Sequence, residues 1–150
     1  MNLLYNTKIT PGLLGLSTGA ASTGREIDMS GFEGCLFILH GTSLMENSAG
    51  ATLKAAGSTA SGGTFVAYSQ TAASTHIQAT ASFDRKMITL DVYKPLKRYV
   101  KCLVTGNSSD TKIPFTVTAI QYGGRYGGST NYRDSTYIAQ ASVCLGATSS

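Results

Sequence analysis

Residues Gly15, Leu16, Ser17, Thr18 and Gly19 have the spacing of the G-x-S-x-G nucleophile elbow, which would make Ser17 an acyl-transfer nucleophile. That chemistry requires a strand before the serine, a helix after it and a base within hydrogen-bond reach. The residues that follow, AASTG, are small and turn-prone, and the two histidines, His40 and His76, stand in no recognisable context. A hydrolase built on Ser17 is therefore the weakest reading the sequence permits. Metal binding needs clustered His, Cys, Asp or Glu, but the histidines are far apart and no pair has ligand spacing. His40 closes a strand-like run, where a boundary role is expected. Glu33, Asp84 and Asp91 could be brought together from distant strands for glycoside hydrolysis. With only eight carboxylates in 150 residues, each is expected instead to form a local ion pair. Asp91, close to Lys94 and Arg98, is the one expected to be paired. The sequence thus points to a non-enzymatic protein with no cofactor, no metal and no small-molecule substrate.

The cations are more informative. Lys94, Lys97, Arg98 and Lys101 fall within eight residues, and Arg85 and Lys86 lie just upstream. Tyr93 and Tyr99 flank this cluster around Pro95. Tyrosine and arginine are enriched at protein interfaces, where a few such anchors carry most of the energy, so these residues form a candidate protein-contact set. The same lysines on a strand edge would protect it against aggregation, which is the plainer reading. Arg125 and Tyr126 extend the candidate set within GGRYGG, residues 123–128. That stretch lacks the Lys-Ser/Thr of a phosphate loop. Arginine interleaved with tyrosine can bind single-stranded nucleic acid, but one arginine in one copy reads better as a connector. Twelve Lys and Arg against eight Asp and Glu give a formal charge of +4, modest for a nucleic-acid binder, so nucleic acid is not the expected partner.

The elements that must position these residues read as strands. The chain is 42% hydrophobic and 13% charged, with 17 glycines and no tryptophan, which excludes disorder and long charged helices. FEGCLFIL, residues 32–39, is a short apolar run between glycines and suits a strand buried on both faces. Residues 51–56 and 65–68 form a hairpin around a glycine- and serine-rich loop, and residues 77–81 are a further short strand. In KMITLDVY, Ile88, Leu90 and Val92 alternate with Met87, Thr89, Asp91 and Tyr93, giving one aliphatic face. Pro95 interrupts the pattern, and Val100, Cys102 and Val104 resume it. A polar loop then leads to residues 113–122, which are expected to pair antiparallel with residues 99–104. Pro114 places the start of that last strand at an edge or bulge.

The predicted architecture is an all-β antiparallel sandwich or jelly roll with extended arms: an N-terminal arm over 1–26, a core over 27–126, and an arm or final strand over 127–150. Cys35, Cys102 and Cys144 are odd in number and match no zinc spacing. Cys35 and Cys102 have a separation that would suit a bridge between sheets, but the tryptophan and tyrosine marks of an immunoglobulin domain are missing. Buried free thiols are the expectation, consistent with a reducing cytosol. The N-terminus has no basic region before its leucines, and Pro11, Gly12 and Gly15 break the apolar stretch, so it is not read as a signal peptide. No run approaches the roughly 18 apolar residues of a membrane span, and the protein is expected to be soluble and intracellular when made.

Three segments carry a resemblance. IDMSGFEGCLFIL at residues 27–39, LDVYKPLKRYVKCLV at residues 90–104 and AIQYGGRY at residues 119–126 together frame about two-thirds of the chain. They resemble a group of small structural proteins of tailed bacteriophages, of the head decoration, or cement, type. The resemblance implies a β-sandwich or jelly-roll subunit, made in the bacterial host cytoplasm, that sits on the capsid exterior of the virion. It also implies the major capsid protein as partner, commonly with a homotrimer at local threefold positions, and no membrane. The sequence departs from the pattern at Cys35, where an aliphatic residue is expected, and in the glycine-rich stretch after Tyr126. An alternative of another class is a carbohydrate- or host-surface-binding β module of a phage tail or fibre.

Overall fold

A computed structural model describes residues 6–18, 22–41, 51–68, 76–79, 87–106 and 112–124. Within them the strands run β1 (Lys8–Thr18), β2 (Ser22–Thr23), β3 (Ile27–Asp28), β4 (Gly34–Gly41), β5 (Ala51–Ser58), β6 (Val66–Ala67), β7 (His76–Ala79), β8 (Met87–Tyr93), β9 (Tyr99–Gly106) and β10 (Lys112–Tyr122). The first sheet has the order β1-β10-β4-β8. In the second, β9 pairs β5; β2 and β3 both lie along the far side of β9, and β6 and β7 along the far side of β5. Every pairing is antiparallel. The protein is an all-β sandwich.

Alternation explains how the sheets close on one another. In β8 the burial pattern follows the sequence period of two, with Ile88, Leu90 and Val92 inside and Met87, Thr89, Asp91 and Tyr93 outside. Cys35, Phe37 and Leu39 of β4 and Val117 and Ala119 of β10 extend that inner face. Leu53 and Ala55 of β5 and Val100, Cys102 and Val104 of β9 meet it from the second sheet. Phe37, Leu39 and Leu53 are fully buried, and each such side chain contributes about 1.5–3 kcal/mol relative to an exposed one. Cys35 and Cys102 are free and buried in this core, as the sequence suggests. Burial pushes both thiols up, Cys102 to about 12.

Three readings are corrected. Residues 32–39 are not buried on both faces: Leu36 and Ile38 are half-buried on the outer face, where the described residues place no second sheet, whereas Phe37 on the inner face meets the other sheet. The lead-in expected over 1–26 is no detached arm over residues 8–18, since β1 pairs β10 from Lys8↔Gln121 to Thr18↔Lys112, with a bulge between Pro11 and Leu13. An edge strand tolerates Pro11 because its missing N–H falls at that irregularity. The strands expected to pair across the polar loop do not, for β9 bonds β5 and β10 lies between β1 and β4 in the opposite sheet. Both have one apolar face, and facing those faces across the core buries more than placing them side by side. Pro114 pairs only with Leu16 of β1, ahead of the first β4 partner at Phe115↔Gly41, so the ladder is one-sided there among the described residues. The C-terminal segment 127–150, with Cys144, lies outside the described residues.

Candidate functional site

The passage from β8 to β9 carries the chain from one sheet to the other. Pro95 cannot donate to a ladder, which ends β8 at Tyr93, and Lys94 turns the chain with φ 47°, a left-handed backbone that side chains seldom adopt. Opposite it, the chain leaves β3 at Asp28 and reaches β4 at Gly34 through a tight turn in which Phe32 N–H donates to Met29 O at 3.0 Å. Two backbone hydrogen bonds pin these loops together at their ends. Met29 N–H donates to Arg98 O at 2.8 Å, and Lys94 N–H donates to Glu33 O at 2.7 Å. Between the pins, residues 29–33 and 94–98 line an open cleft of about 510 Å³.

A polar lattice holds one wall. Arg98 donates from Nε and Nη2 to the two carboxylate oxygens of Asp28, at 3.0 and 2.9 Å. Asp28 Oδ1 also accepts from Ser30 N–H at 2.9 Å, and its carbonyl accepts from Gln121 Nε2 at 2.7 Å. Gln121 is 2% exposed, so this bond anchors the loop to the core of β10. The Arg98 bonds hold the Asp28 carboxyl below the usual range, outweighing the effect of burial. Arg98 stacks over the Tyr99 ring at 5.1 Å, and the Lys94 ammonium lies 5.1 Å from the Tyr93 ring. Beneath the loop, Tyr68 packs so close to Gly57 that a side chain there would meet its phenol and the Lys97 Cβ. At the crest Leu96 is 90% exposed and Tyr93 57%.

The structure therefore gathers Tyr93, Lys94, Lys97, Arg98 and Tyr99 at one corner. Lys101 belongs elsewhere: it projects from the outer face of β9, its ammonium 4.0 Å from the Phe65 ring centroid. Arg125 and Tyr126 lie outside the described residues. Asp91 is not paired with Lys94 or Arg98 as expected; its Oδ1 accepts from the Tyr122 hydroxyl at 2.7 Å, and Arg98 takes Asp28 instead. The reason is topological, because Asp91 points from the outer face of β8 toward β4 and β10 while the corner turns away after Tyr93.

Asp28 and Leu96 were missed by the motif reading. Leu96 carried a signal, being an apolar residue in an otherwise basic turn after proline, whereas the pairing of Asp28 spans 70 positions and has none. Ser17 lies within β1 opposite Ile113, and β2 follows rather than the helix an elbow requires. Among the described residues, no three His, Cys, Asp or Glu gather as metal ligands. No described helix is long and apolar enough to cross a membrane.

Fold and corner define a β-sandwich with a pinned surface cleft. No protein-family model matches the chain, and no curated protein matches it. Among solved structures it is similar to the PBSX exported protein XepA, with 15% identity and a TM-score of 0.55 over 96% of this chain and 45% of that one. It is also similar to the SPBc2 prophage-derived protein YomS, at 14% identity and a TM-score of 0.46 over 77% and 92% of the two chains. A third is a Bacillus endospore appendage protein of disulfide-linked pili, at 10% identity and 0.41 over 77% and 88%. The chain spans just under half the length of XepA, and that likeness shows a shared fold.

Proposed function

We propose that this protein is a non-enzymatic structural protein of a bacteriophage virion that binds the outer surface of the head and stabilises it by bridging capsid subunits, acting as a homotrimer. The observation that carries the reading is the corner between β8 and β9, where an exposed Leu96 and Tyr93 stand among Lys94, Lys97 and Arg98 on loops already pinned in place. Exposed apolar and aromatic groups beside cations, on a backbone that need not order on binding, are what a protein-contact surface requires. The three segments that resemble decoration proteins include both loops of this corner, and the fold shared with XepA agrees with a phage structural protein.

The test adds purified protein to undecorated heads and measures co-sedimentation and the temperature at which the heads release DNA. Binding with a higher release temperature is expected. Absence of both, with binding on a glycan array instead, would favour a carbohydrate-binding module and sink the decoration reading.

A further inference from the structure

The geometry points to the cleft between residues 29–33 and 94–98 as a docking groove for an acidic segment of a partner protein that carries a bulky apolar side chain. This deepens the decoration reading by naming what the corner grips.

Its volume, about 510 Å³, lies in the range of roughly 300–1,000 Å³ typical of pockets that enclose a bound group. Met29 is buried and Phe32 half-buried at its base, and Pro95 with Leu96 forms an apolar lip. The rim is charged unevenly. Arg98 is engaged by Asp28, whereas Lys94 and Lys97 have no carboxylate partner among the described residues. Glu33 is the one carboxylate among the described residues of the lining, so the two ammonium groups outnumber it beside an apolar floor and complement carboxylates placed around an apolar anchor.

The groove is also preformed. Pins at 2.8 and 2.7 Å close both ends, and Lys94 is held at φ 47° where an ordinary residue would relax. Such strain persists only where the surroundings enforce it, and it is concentrated at binding and switch positions. Two other partner classes fit less well. A phosphate backbone would leave the apolar floor of Met29 and Phe32 unfilled, and a bilayer would touch the protruding Leu96 and Tyr93 without reaching that floor.

The test uses the full chain, labelled with ¹⁵N and titrated with the capped peptide Asp-Glu-Leu-Phe-Glu-Asp. Amide shifts confined to residues 29–33 and 94–98 are expected. Replacing Leu-Phe by Ser-Ser should weaken binding about tenfold, as should Lys94→Glu with Lys97→Glu, both exposed positions. Raising salt, which requires no variant, should weaken it further. Shifts elsewhere or none, equal binding of a Lys-Lys-Leu-Phe-Lys-Lys peptide, or binding only to phosphatidylserine vesicles would overturn the proposal. The two readings fail separately. Protein that binds heads yet gives no cleft shifts with the peptide loses the groove, and protein that grips the peptide at the cleft but never binds heads loses decoration.

Discussion

The Tyr122 hydroxyl donates to Asp91 at 2.7 Å across the intervening strand β4, and the tyrosine ring crosses over Gly34 to do so. A Cβ at Gly34 would collide with the ring, so the glycine, the tyrosine and the carboxylate form one cross-strand unit on the outer face of the first sheet. Gly34→Ala should displace the ring and destabilise the fold by about 1–3 kcal/mol. Tyr122→Phe keeps the ring and removes one partly exposed hydrogen bond, with an expected loss of only about 0.5–1 kcal/mol. Urea unfolding midpoints compare the two, and equal losses would refute the steric role of Gly34.

Gly24 is more tightly enclosed. Its N–H donates to Cys102 O at 2.7 Å, and an added Cβ would meet the Cys102 sulfur and lie 2.9 Å from both Cys102 O and Gly12 O. Because two of those neighbours are backbone, Gly24→Ala should destabilise by about 2–3 kcal/mol. Gly62 faces open space but has φ +66°, so Gly62→Ala should lose only about 1–2 kcal/mol, through backbone strain. Thermal unfolding of both variants checks the order.

The acid limb of stability should report Asp28. Arg98 and the Ser30 N–H lower its folded pKa, and Lys8 adds to the effect, so its contribution is present above the unfolded value near 3.9 and is lost as pH falls through the depressed folded value. Melting temperatures measured from pH 6 to pH 2 should fall less steeply in Asp28→Asn than in the parent. Parallel curves would show that the Arg98 pair contributes nothing measurable.

Alkaline stability should report Cys102. Burial holds its thiol neutral up to about 12, whereas an unfolded thiol ionises near 8.5, so stability should decline as pH rises between those values. Cys102→Ala should lessen that decline, leaving the share due to the likewise buried Cys35, while lowering stability at pH 7 by leaving a small cavity. In a Cys144→Ala background, iodoacetamide should label neither Cys35 nor Cys102 until denaturant is added. Rapid labelling of the native protein would contradict their burial.

Lys94 separates stability from binding. Glycine adopts its φ of 47° without steric strain, so Lys94→Gly should stabilise by up to about 1 kcal/mol after the flexibility it adds to the unfolded chain. The same change should weaken peptide binding at the cleft. Gain of both stability and affinity would show that this lysine is no rim contact.

Much of the fold is legible in the chain because strand periodicity is a local property. Ile88, Leu90 and Val92, and then Val100, Cys102 and Val104, announce their inner faces by alternation alone, and all six are buried. The turn between them is announced by Pro95, and the corner cations follow from adjacency in sequence. Pairing is different, since antiparallel neighbours are chosen by how apolar faces close over one core and not by loop length. That is why β9 and β10 part to opposite sheets, and why residues 8–18, rich in glycine and broken by Pro11, nonetheless form an edge strand.

The sequence by itself determined an all-β sandwich, the inner faces of its regular strands and the site of the basic turn. Only the tertiary structure decided that Asp28, not Asp91, would hold Arg98, and that residues 29–33 would close a cleft against residues 94–98. Alternation is written in neighbouring residues, whereas a carboxylate finds its cation 70 positions away only after two sheets have packed and set the directions in which their loops leave.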